Sequence, residues 1–64
     1  MSTFKKGDAI VSTRVLTYAD KTIPAGTRGI VDDAFELAGD FFYTVRFIID
    51  MFDRLADEDS LAPG

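Results

Sequence analysis

Hydrophobic and polar positions alternate most regularly between Phe41 and Ile48. There Tyr43, Val45 and Phe47 fall on one side of an extended chain, and Phe42, Thr44 and Arg46 on the other. The pattern predicts a strand with one buried face. Residues 9–15 are rich in β-branched side chains and predict a first strand, preceded by the polar turn Lys5-Lys6-Gly7-Asp8. Residues 1–4 are expected to be only lightly attached. Between Leu16 and Ile23 the text is too polar for a buried strand and too short for an amphipathic helix, which leaves an excursion loop. Pro24 and Gly26 then spell a tight turn, with proline at its second position and glycine supplying a positive φ.

A second strand follows over residues 27–35. A strict two-residue period puts Gly29, Val31 and Asp33 on one face and Ile30, Asp32 and Ala34 on the other, with Gly29 permitting a bend or a close backbone approach. Residues 36–40 connect it to the strand beginning at Phe41, and Gly39 is the natural place for a positive φ in that hairpin. Two readings stand for residues 49–57. Ile48, Met51, Phe52 and Leu55 recur at helical spacing, with Asp50, Asp53, Arg54 and Asp57 facing away. A turn at 49–51 and a short strand at 52–56 fit better, because the preceding strands need a partner. Residues 57–60 then predict a single 3₁₀ turn, and Leu61-Ala62 a last short strand before Pro63.

Composition narrows the class of object. Sixty-four residues make one domain near the lower size limit for independent folding. With no Cys and no His, the chain has neither a disulfide nor a thiolate or imidazole zinc site to staple it. Six Phe and two Tyr must supply much of the core, and self-association would cover what one copy leaves exposed. Eleven acids against seven bases give a net charge of −4, which opposes binding to a phosphate backbone. No apolar run reaches the roughly 18 residues of a membrane span, and the first residues lack the apolar core of a signal peptide, so a cytoplasmic protein is expected.

The order of these elements carries a resemblance. Lys6-Gly7-Asp8 before the first strand, Pro24-Ala25-Gly26-Thr27-Arg28-Gly29-Ile30-Val31 at the second, Tyr43-Thr44-Val45-Arg46-Phe47 in the third and Glu58-Asp59-Ser60-Leu61-Ala62-Pro63 at the end span nearly the whole chain. Together they resemble the SH3-like small-barrel families, which include KOW-type modules and the SH3-like accessory subunits of bacterial enzymes. The resemblance implies an all-β fold: a small barrel of about five short antiparallel strands with a 3₁₀ turn before the last. It identifies architecture rather than activity. The chain departs from peptide-binding SH3 domains in having no Trp, and from basic KOW-type RNA binders in its thinly spread cations.

Chemistry points away from catalysis. Lacking His and Cys, the chain has no Ser-His-Asp or Cys-His unit, and it contains neither a P-loop nor GxGxxG. Asp57-Glu58-Asp59 lacks the alternating spacing of a calcium loop, so a solvated acidic turn is expected, with no metal and no cofactor. Asp32 and Asp33, adjacent on a strand, are expected to point to opposite faces and not to form a carboxylate pair. Phe41 and Phe42 must also face opposite ways, which places one ring outside. The expected function is a non-enzymatic protein-interaction module or accessory subunit using Tyr18, Phe42, Asp57, Glu58 and Asp59. The alternative is a nucleic-acid-binding module using Lys5, Lys6, Arg28 and Arg46.

Overall fold

The alternation over Tyr43, Val45 and Phe47 organises the molecule: all three are fully buried, on the central strand of a β-meander. The computed structural model describes residues 3–64. Among the described residues seven strands occur in order: β1 (Ala9–Ser12), β2 (Leu16–Thr17), β3 (Thr22–Ile23), β4 (Arg28–Leu37), β5 (Asp40–Phe47), β6 (Asp53–Asp57) and β7 (Leu61–Pro63). A 3₁₀ turn, Glu58–Ser60, joins the last two. Five of them form one antiparallel sheet ordered β6-β5-β4-β1-β7, and β2 pairs with β3 in a small separate hairpin. The fold is all-β, as expected. The sheet is not closed, for β6 and β7 are its two ends and do not pair.

β4 is the long strand, shared between β1 at its start and β5 along its length. Gly29 sits where all three meet, opposite Ile10 on one side and Phe47 on the other. A Cβ there would lie 2.8 Å from the Arg46 carbonyl oxygen and 3.0 Å from Val45 Cγ1, so the close approach expected of this glycine is real. Two residues on, the period-two expectation fails. A bulge interrupts the ladder between Val31 and Asp33, which pair with Val45 and Thr44 in succession. One extra residue, Asp32, reverses every later side chain. Ala34 turns inward, opposite buried Tyr43, while Asp33 stays exposed with its Oδ1 accepting the Ala34 N–H. Both aspartates therefore reach solvent, whereas a regular strand would have carried Asp33 into the core.

The β4–β5 hairpin turns on Ala38 and Gly39, whose φ values of 54° and 85° are both positive. That is the pattern of the two-residue loop that matches strand twist. The turn after β3 bends at Ala25 and Gly26, so Pro24 stands before the bend rather than at its second position. The Pro24 carbonyl instead accepts the hydroxyls of Ser12 and Thr27, at 2.9 and 2.6 Å. The excursion between β1 and β4 is itself the β2–β3 hairpin, and the first strand stops at Ser12.

Residues 49–57 are not helical: a turn over residues 48–50 leads to β6, with Met51 held at φ 61°. The amino-terminal residues also differ from expectation. Phe4 is buried, its ring edge-on to Tyr43 at 5.4 Å, so it belongs to the core, while exposed Thr3 donates its N–H to Glu58. Residues 1 and 2 lie outside the described residues.

Two substitutions test this backbone. Gly29→Ala should lower stability by about 1–3 kcal/mol, as overpacking against a backbone carbonyl does, in urea denaturation. Ala38→Asn, at a position where an ordinary side chain costs about 1–2 kcal/mol, should raise stability by roughly 0.5–1 kcal/mol in the same assay.

Candidate functional site

The bulge in β4 and the tight hairpin after it determine what lies at the far end of the meander. Because Phe42 pairs with Asp57 across β5 and β6, its ring stands on the outer face, and it stacks on Phe35 of β4 with centroids 6.2 Å apart. Phe41 points the other way and packs against the core. Just past Asp57 the 3₁₀ turn brings Glu58 and Asp59 round to the same end. A cleft of about 290 Å³ results, lined by Gly39, Asp40, Phe41, Phe42, Asp57, Glu58 and Asp59. Four of the five residues expected at a protein-binding surface thus converge, and Asp40 and Phe41 join them. Asp40 could have been suspected from its place beside the Phe41-Phe42 pair.

Tyr18, the fifth, is placed elsewhere. It packs against the core, its hydroxyl donates to the Leu55 carbonyl at 2.6 Å, and the Arg54 guanidinium lies 5.2 Å from its ring centre. Arg54 is the hub of this second cluster. It contacts Asp20 through two nitrogens, at 2.6 and 3.2 Å, and Asp50 at 2.7 Å, so the excursion hairpin is tied to the turn before β6. Asp20 and Asp50 are held below the ordinary aspartate pKa by these hydrogen bonds. Burial pushes the Tyr18 phenol up.

Within the cleft the carboxylates are not equivalent. Glu58 Oε1 accepts the Tyr43 hydroxyl at 2.7 Å and the Thr3 N–H at 3.1 Å, and these bonds hold its pKa below the usual value. Tyr43 also accepts the Phe4 N–H, at 3.3 Å, and its own pKa is raised, first by burial and then by the bond to Glu58. Asp57 Oδ1 accepts the Ser60 hydroxyl in a short hydrogen bond. Glu58 therefore anchors the amino-terminal segment while it walls the cleft. Among the described residues no set of three carboxylates converges as metal ligands would.

The cations expected of a nucleic-acid surface are divided among the turn before β1, the start of β4 and the outer side of β5. Arg46 lies between Asp32, at 3.8 Å, and Asp53, at 3.4 Å. Lys5 and Lys6 occupy the turn closed by Asp8, and Arg28 opens β4. Among the described residues no helix is long and apolar enough to cross a membrane. Comparison of the chain with protein-family models, curated proteins and solved structures finds no match.

Tyr43→Phe removes a hydroxyl that serves Phe4 and Glu58 at once. It should cost about 1–3 kcal/mol, the range for stranding buried partners, and should let the Glu58 pKa rise toward its ordinary value in an NMR titration. The acid response has a defined sign. Asp20, Asp50 and Glu58 titrate lower folded than unfolded, so their contribution is complete above their ordinary values of 3.8 and 4.5 and fades as pH falls through the folded ones. Thermal melts should be level from neutral pH to about 5 and fall steeply below about 4.

Proposed function

We propose that this chain is a non-enzymatic interaction module of SH3-like small-barrel type whose acidic, aromatic-walled cleft captures a basic segment of a partner protein. The observation that carries this reading is the cleft itself, which Phe41 and Phe42 line together with Asp40, Asp57, Glu58 and Asp59. An aromatic face attracts a lysine or arginine cation, and neighbouring carboxylates add charge-assisted hydrogen bonds. The net charge of −4 favours encounter with a basic ligand over an acidic one.

The barrel assignment draws support from the strand order β6-β5-β4-β1-β7, the hairpin inserted between β1 and β4, and the 3₁₀ turn before the last strand. In this reading the open ends of the sheet are brought round the core by Glu58–Ser60. Residence in the cytoplasm fits the same reading.

The experiment is a titration with a lysine- and arginine-rich peptide and, in parallel, with single- and double-stranded oligonucleotides. Peptide binding that weakens with salt is expected. Phe42→Ala should abolish it at a stability cost of only about 0.5–1.5 kcal/mol, that of an aromatic pair, well short of the roughly 3–5 kcal/mol of a core phenylalanine. Binding of oligonucleotide in place of peptide, or peptide binding untouched by Phe42→Ala, would refute the proposal.

A further inference from the structure

Among the described residues, nothing packs on one face of the meander. An antiparallel sheet with a solvated side normally makes that side polar. Here the outer surface of β4, β5 and β6 and the adjoining turn carries Ile30, Ile48, Met51 and Leu55, between 46% and 61% exposed, with Phe35 beyond them at 41%. Ile30, Ile48 and Met51 line a depression of about 270 Å³ together with Asp32 and Arg46. We propose that this face is a homodimer interface, on which a second copy of the chain packs sheet against sheet about a twofold axis near Arg46.

Area and charge both favour a second copy. Together the exposed apolar residues and the half-exposed Arg46, Asp32 and Asp53 among them form a face of the order of the roughly 800 Å² that each partner gives to a stable complex. Apolar side chains exposed next to one another and rimmed by charged ones are the mark of a contact surface. A molecule of net charge −4 repels its own copies unless the meeting surfaces are locally matched. At the centre of this face Arg46 sits with Asp32 on one side and Asp53 on the other, at 3.8 and 3.4 Å. Alternating signs are what an isologous interface requires, because each copy then presents the complement of the other. A guanidinium has donors enough to serve carboxylates of both chains.

The apolar turn is also prepared in advance. The Phe47 carbonyl accepts the Met51 N–H at 2.9 Å, and Asp50 is fixed by Arg54 at 2.7 Å. Met51 is thereby held at φ 61°, a conformation ordinary side chains avoid, with its thioether outward. A backbone fixed before contact loses little freedom on binding.

Sedimentation of the whole chain from about 1 µM to about 1 mM, the span of weak and specific complexes, tests the proposal. The expected species at the upper end has twice the mass of the 7.1 kDa chain. Leu55→Glu and Ile30→Glu, each checked for an unchanged circular dichroism spectrum, should leave only monomer. Arg46→Asp should weaken dimerisation at least about tenfold, and adding Asp53→Arg in the same chain should restore it. This pair decides the matter if the apolar variants misfold. Asp59→Asn, which alters the cleft and no residue of this face, should leave the dimer intact, which separates this face from the peptide cleft. A wild-type chain that remains at 7.1 kDa throughout overturns the proposal and leaves the face to a different protein, as does a dimer indifferent to all four substitutions.

Discussion

The bulge at Asp32 decides which side chains of β4 meet the core. On either side of it the chain must bury an apolar residue, Val31 before and Ala34 after, and a regular strand cannot do both across an odd spacing. Without the extra residue the inward position after Val31 would fall to Asp33, and a carboxylate there would face Tyr43 with no cation to meet it. The inserted residue moves that carboxylate to water, where it accepts the Ala34 N–H. It also turns Asp32 toward Arg46. The same shift of register sets Phe35 opposite Phe42, and the two rings stack on the outer face.

Side-chain hydrogen bonds take the place of covalent staples in a chain without cysteine. Ser12 and Thr27 lock the base of the excursion to the Pro24 carbonyl. Arg54 holds the tip of that excursion through Asp20 and the following turn through Asp50. Glu58 draws Thr3 and Tyr43 together, and Phe4 fills the gap beside the tyrosine ring. Each clamp includes at least one bond between segments 12 or more residues apart, so each reduces the freedom of a small core that has little area to spend. Among the described residues no buried side-chain polar atom is left without a partner.

What could be read from the chain in advance follows from how local each signal is. Alternation in β5, the glycine at the hairpin, the close approach at Gly29 and the 3₁₀ turn all rest on a few neighbouring residues, and all are present. The period-two reading of β4 failed at Asp33 because a bulge is a property of two paired strands and leaves no mark in one. Tyr18 was expected on the outer surface, but its position is set by Arg54 and Leu55, more than thirty residues away. Phe4 looked terminal and proved central for a similar reason: its neighbours are Tyr43 and, through it, Glu58. Of the cleft, Phe42 and the acidic turn were legible from exposure and charge. Their meeting was not, since it depends on the register Phe42 opposite Asp57.

Register is accordingly where the whole account is exposed. Cross-strand proton–proton contacts in a nuclear Overhauser spectrum of the labelled protein read it directly. Val31 should contact Val45, Asp33 should contact Thr44, and the Ala34 methyl should lie near the Tyr43 ring. A continuous ladder, with Asp32 opposite Thr44 and Asp33 opposite Tyr43, would remove the bulge and with it the inward turn of Ala34 and the exposure of Asp33.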